Sequence, residues 1–126
     1  MLTGQNRMTG IGIAVLAATL TASSPALAQD QLSIATGGTG GIYYPLGGGL
    51  AEVINQHVEG YAATAEVTGG SVENMGLIAT GDADLAIALG DTVHQARTGT
   101  GRFAGQRLAM ISGVASLYTN MVQIVT

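Results

Sequence analysis

These 126 residues contain no cysteine, no tryptophan and no lysine, and only one phenylalanine. Without cysteine there is no disulfide, no thiolate nucleophile, no Cys-ligated zinc and no thiol to carry a lipid. Without lysine there is no P-loop, whose ammonium group reaches the phosphates of a nucleotide. Other cations are scarce: Arg7, Arg97, Arg102 and Arg107 stand against eight acids. That balance argues against nucleic acid as a partner, because phosphate contacts call for basic side chains. The aromatics are Tyr43, Tyr44, Tyr61, Tyr118 and Phe103, so the core has to be built from Ala, Val, Ile and Leu. The length allows one domain.

The two ends carry distinct signals. Met1 to Thr9 is polar with Arg7, Gly10 to Leu20 is apolar, and Thr21 to Ala28 is small and polar with Pro25 and a final Ala26-Leu27-Ala28. These are the three parts of a secretory signal peptide, expected over residues 1–28 with cleavage after Ala28. The apolar run falls short of the ~20 residues that span a bilayer. Beyond it, three arginines and eight acids leave a formal charge of −5. The expectation is a soluble periplasmic protein that is not a lipoprotein. At the other end, Val122-Gln-Ile-Val-Thr126 halts in mid-strand without turn, cap or polar tail. Bare apolar strand edges invite aggregation, so residues 29–126 are expected to be a truncated N-terminal lobe.

Between the ends, strands and helices alternate. Gln31 to Ala35 reads as a first strand. Tyr43 to His57 follows with helical apolar spacing and Pro45 in its first turn. Gly47-Gly48-Gly49 inside that helix costs roughly 1 kcal/mol per residue relative to Ala, which suggests close packing on a sheet. Tyr61 to Val67 reads as a second strand. Ser71 stands as N-cap of a helix over Val72 to Thr80 that Gly81-Asp82 ends. Leu85 to Leu89 is a third strand, and Asp91 a natural N-cap for a helix over Thr92 to Arg97. Thr98 to Gly105 is a glycine-rich loop. Leu108 to Val114 and Met121 to Thr126 read as fourth and fifth strands. Strand, glycine turn and helix, repeated, predicts an α/β fold with a mostly parallel sheet flanked by helices.

In such sheets ligands bind beyond the carboxyl ends of the strands. One crevice is then lined by Thr36–Tyr44, Thr68–Asn74 and Gly90–Thr92. In the first turn, Gly37, Gly38, Gly40 and Gly41 allow left-handed dihedrals and let a ligand approach the peptide N–H groups. A helix start beside them adds unpaired N–H groups and the positive end of a dipole, an anion site. Backbone N–H groups at Gly40, Gly41 and Gly70, hydroxyls of Thr39 and Ser71, and a face of Tyr43 or Tyr44 suit a small carboxylate. Adjacent tyrosines point apart, so one is expected in the crevice and one in the core.

Other chemistries find less support. Gly38-Thr-Gly40 begins a dinucleotide fingerprint, but the third glycine position is Tyr43. Gly99-Thr-Gly101-Arg-Phe-Ala104 follows a helix instead of a strand. Ser71, His94 and Asp91 are the only nucleophile, base and acid near one end of the sheet, without the surroundings of a nucleophile elbow. Asp82 and Asp84 sit at the amino end of a strand, so no metal site is expected, and no cofactor or catalysis. Arg97, Arg102 and Arg107 read as surface charges, one of which could face the crevice. The alternative that stays open is a phosphate- or nucleotide-binding α/β domain of an enzyme using the same turn.

Ala35 to Gly48 and Thr68 to Asn74 together resemble the TAXI family of solute-binding proteins, as do Gly81 to Asp91 and Leu117 to Val125. These are extracytoplasmic receptors of one class of tripartite ATP-independent periplasmic (TRAP) transporters. The resemblance implies a type II-like periplasmic binding protein whose two lobes close on the ligand, with the second lobe missing here. It implies a glutamate- or dicarboxylate-like ligand and a TRAP membrane permease as partner. Carried onto this chain, the contacts are Thr39, Gly40 and Tyr43, then Gly70 and Ser71, then Asp91. Asp91 either receives an amino group or amide of the ligand or simply caps its helix.

Overall fold

The computed structural model describes residues 29–121. The expected signal peptide and the Val122–Thr126 part of the expected fifth strand lie outside them. The elements are β1 (Asp30–Ala35), α1 (Tyr43–His57), β2 (Tyr61–Glu66), α2 (Ser71–Thr80), β3 (Leu85–Ala86), α3 (Gly90–Thr98) and a 3-10 turn over Gly101–Phe103. The sheet is parallel with order β2-β1-β3, so the first strand is the central one. It is the α/β fold that the alternation predicts.

Successive strand residues face opposite sides, and the two cores follow that rule. Leu85 packs with Ile34, Ala51 and Ala63 under α1. Its neighbour Ala86 packs with Met75, Ala96, Phe103, Leu108 and Ile111 under α2 and α3. The helices therefore cover the sheet from both faces. Small side chains set the spacing. Gly47 is buried against Thr36, and a Cβ on Gly47 would collide with the Thr36 γ-methyl. Gly48 and Gly49 face open space, so only the first glycine of the triple answers to packing.

The third strand is shorter than its apolar run suggests. Asp84 N–H donates to the Ser33 carbonyl at 3.0 Å, its Oδ2 accepts from Ser33 N–H at 2.9 Å, and Ile87 N–H donates to the Ala35 carbonyl at 3.0 Å. These bonds hold β3 to β1 at both ends, and Ile87–Leu89 then turn away into α3. At the opposite edge, Asn55 of α1 acts as a substitute strand: Ala63 N–H donates to its Oδ1 at 2.6 Å, and its Nδ2 donates to the Ala63 carbonyl at 3.0 Å.

The expected fourth strand, Leu108 to Val114, does not form. Leu108 N–H donates to the Ala96 carbonyl at 2.8 Å, a turn covers Ala109–Met110, and Leu108 and Ile111 both enter the α2/α3 core. Insertion at a three-residue spacing is incompatible with a strand, which would alternate, and Met110 is left 63% exposed. Arg107 Nε donates to the Arg97 carbonyl at 3.0 Å, capping the carboxyl end of α3. Arg97 and Arg107 thus gather at the end of α3 remote from the crevice, and Arg102 N–H donates to Gln95 there.

Two glycines of one triple should behave oppositely. Gly47→Ala is expected to lower stability by about 1–3 kcal/mol through overpacking against Thr36. Gly48→Ala is expected to raise it by about 0.5–1 kcal/mol through helix propensity. Urea unfolding of the two variants measures both.

Candidate functional site

The carboxyl ends of β1, β2 and β3 deliver three turns to one edge of the sheet, and three helices start there. The first turn leaves β1 through Thr36, which is fully buried. Its N–H and its Oγ1 both donate to the Glu66 carbonyl, at 3.1 and 2.5 Å, which ties the turn to the end of β2. Gly41 N–H then donates to the Gly38 carbonyl at 3.0 Å, and α1 follows.

The expectation of left-handed dihedrals in this turn is corrected. Positive φ occurs at Gly60, Gly70, Gly81, Gly99, Gly101 and Gly105, and at no glycine between 37 and 41. The reason for glycine here is space. A Cβ on Gly38 or Gly40 would meet no atom of the protein within 4 Å. Neither backbone conformation nor internal packing calls for glycine at these two exposed positions.

The second turn runs from Thr68 to Ser71. Gly70, with φ 95°, precedes α2 as its N-cap, and Ser71 is the first helical residue instead of the cap. Ser71 Oγ accepts from Leu89 N–H at 3.0 Å, linking the second turn to the third. Glu73 Oε2 accepts from Gly69 N–H at 2.8 Å, and Gly70 N–H donates to Thr68 Oγ1 at 3.1 Å. In the third turn Leu89 is the N-cap of α3, and Asp91 lies one residue inside the helix. Its Oδ1 accepts from Thr92 N–H at 2.6 Å. Asp91 therefore serves the first turn from within, and its side chain is exposed.

The three helix starts differ in charge. Each carries about half a positive charge from its aligned peptides. α2 has Glu73 and α3 has Asp91 in the first turn, whereas α1 has no acid there; none of the three N-cap residues makes a side-chain capping hydrogen bond. The uncompensated positive end is that of α1, beside the open glycines.

Tyr43 is half-buried with its ring against Gly37, 3.6 Å from where a Cβ would stand. Tyr44 is exposed and lines a groove of about 510 Å³ between α1 and β2, with Pro45, Gly48, Asn55 and Ala63. A second groove, of about 540 Å³, lies at the far end of the sheet around Gln31 and Gly60. The first groove reaches the start of α1 through Tyr44 and Pro45, but neither groove is lined by residues of the three turns. The tyrosines do point apart, but neither enters the core fully. Tyr118 is 42% exposed. Its hydroxyl is held above the usual tyrosine range, first by partial loss of water contact and then by nearby Tyr43.

Ser71, Asp91 and His94 do not join as a catalytic trio: Ser71 Oγ takes the Leu89 N–H, Asp91 takes the Thr92 N–H, and His94 is exposed. Among the described residues no group of three or more His, Asp or Glu is gathered as a metal would need, and no helix is long and apolar enough to cross a membrane. Asp82 accepts from the Thr80 hydroxyl at 2.5 Å and Asp84 holds Ser33, both at the amino end of β3.

Sequence reasoning missed Asn74, which is fully buried on α2. Its Nδ2 faces the carbonyls of Thr36 at 2.7 Å, Ile87 at 2.8 Å and Ala35 at 3.3 Å. Its Oδ1 accepts from Thr68 Oγ1 at 2.6 Å. The signal was available: Asn74 shares a helical stripe with Met75 and Ile78, and a carboxamide on an apolar stripe must be buried and bonded.

The family model described as the NMT1-like family matches residues 34–126, which takes in all three turns.

Replacing Tyr43 with Phe should bring the Tyr118 titration part of the way down, leaving the share due to lost water. A raised folded-state value means that the unfolded chain ionises first as pH rises. The stability that Tyr118 contributes is therefore present below the unfolded value, about 10, and fades above it. Ultraviolet difference titration of the two chains measures the shift.

Proposed function

The chain belongs to the NMT1-like family, and on that premise we propose that it is the ligand-binding lobe of an extracytoplasmic solute receptor that takes up a small organic acid. The family carries a substrate-binding role outside the cytoplasm and a transporter as partner. The narrower reading is a TAXI-type receptor, periplasmic after removal of residues 1–28, that delivers a glutamate- or dicarboxylate-like ligand to a TRAP permease. Its support is the pair of motifs Ala35–Gly48 and Thr68–Asn74.

The observation that carries the proposal is the asymmetry of the three helix starts. α1 opens with no acid in its first turn, unlike α2 and α3, next to Gly38 and Gly40, where nothing of the protein occupies the space of a side chain. A carboxylate of the ligand docks there on peptide N–H groups between Thr39 and Tyr43. Asp91 and Ser71, across the edge on α3 and α2, face the ligand's polar or amino end. A second lobe closes over the site and removes the bound acid from water.

The chain is tested by following backbone amides while L-glutamate, succinate, inorganic phosphate and ATP are added in turn at millimolar concentration. L-Glutamate or succinate should move the amides of Thr39 to Tyr43. Movement with phosphate or ATP alone would instead favour a nucleotide- or phosphate-binding domain, and no movement with any of them would end the organic-acid reading.

Gly40→Leu is expected to weaken that response at least tenfold. Because its Cβ meets no protein atom, its stability should stay within about 0.5 kcal/mol of the parent, as for other exposed sites. Titration and urea unfolding of the same variant measure the two effects separately.

A further inference from the structure

We infer that Asn74 is the positioning residue of the ligand site, fixing the three turns in one relative arrangement without touching the ligand. The inference rests on the proposed receptor function for the meaning of the site, but its geometry does not. The two N–H bonds of one carboxamide serve the Thr36 carbonyl in the first turn and the Ile87 carbonyl before the third, and the Ala35 carbonyl at the end of β1, at 3.3 Å, shares one of them. The same group accepts from Thr68, whose hydroxyl in turn receives the Gly70 N–H of the second turn. All three strand ends that carry binding loops are thus joined through a single buried side chain.

No other side chain in the described residues bridges all three turns. Ser71 joins the second to the third, and Thr36 joins the first to the end of β2. Asn74, like Thr36, is fully buried, so solvent cannot take its place. An amide with carbonyls around its NH2 and a hydroxyl at its oxygen has one favourable orientation, because turning it over would set its oxygen against those carbonyls. It therefore sets distances as well as energy. Buried polar networks of this kind specify one arrangement when complete and loosen locally when one member fails.

The turns should consequently open together, ahead of the rest of the fold, when the carboxamide is altered. Asn74→Asp keeps the shape but removes the donor and turns an acceptor toward three carbonyls. Thr68→Val removes only the hydroxyl and serves as the milder variant should the first fail to fold. Amide hydrogen exchange of the ligand-free chain reads the effect at Gly41, Gly70 and Leu89, one bonded amide in each turn. Leu108 and Asp30, bonded far from that edge, report general loss of stability.

At least tenfold faster exchange at the three turn amides than at Leu108 and Asp30 is expected in Asn74→Asp, and a smaller excess in Thr68→Val. Thr68→Ser should restore the parent pattern. A uniform increase across all five amides would overturn the inference and leave Asn74 an ordinary core residue. Binding is then read with L-glutamate and succinate as probes, where affinity should fall at least tenfold in the folded variants. Unchanged affinity in a variant whose turns exchange fast would also overturn it. Failure of both probes to bind the parent chain, with the exchange pattern present, would sink the organic-acid reading and leave the positioning role standing.

Discussion

A parallel sheet ends each of its strands on carbonyl groups that the next turn must satisfy; Thr36 serves the end of β2, and one buried side chain serves the other two. Asn74 sits on α2 and takes the carbonyls of Ala35, Thr36 and Ile87 while accepting from Thr68. Left without partners, a buried amide costs roughly 2–7 kcal/mol on transfer from water. Joined to all of them, it makes the end of β1, the exit of β3 and the entry to α2 one object. The turns at that edge can then be short and rich in glycine, because rigidity is supplied from below them and not from their own side chains.

On that foundation the site is built by subtraction. The first turn has no side chain at Gly38 and Gly40, and α1 has no acid in its first turn. The other two helix starts are furnished with Glu73 and Asp91. In the proposed receptor, a ligand at this edge would meet one positive helix end and two that are partly neutralised. The Glu73 carboxylate is held at the start of α2 by Gly69 N–H.

Helix α1 could be read from the sequence to the residue, Tyr43 to His57, because its apolar stripe is long and regular. The three turns could be located too, since glycine clusters punctuate strands and helices. The fourth strand could not. Leu108 to Val114 is apolar enough for a strand, and only the α2/α3 core decides that Leu108 and Ile111 insert three residues apart. The role of Ser71 was hidden for a similar reason. Its neighbour Leu89 is eighteen residues away, and a local capping rule cannot see a partner at that distance. Glycine was read as a licence for unusual dihedrals at Gly37 to Gly41, whereas none of these residues has a positive φ. Residues 1–28 and 122–126 lie outside the described part of the chain.

The middle position of β1 bears on how the chain assembles as it is made. Asp30 pairs with Tyr61 and Ile34 with Leu85, so the central strand is synthesised first and both its neighbours come later. Contacts that span tens of residues are slow to close because loop entropy has to be overcome before they form. Until Tyr61–Glu66 emerges, the central strand has two free edges and its apolar end, Ile34-Ala35, has no covering face, the state in which nascent chains adhere to one another. A chain of this topology gains from being kept extended by a holding partner until its second strand is available.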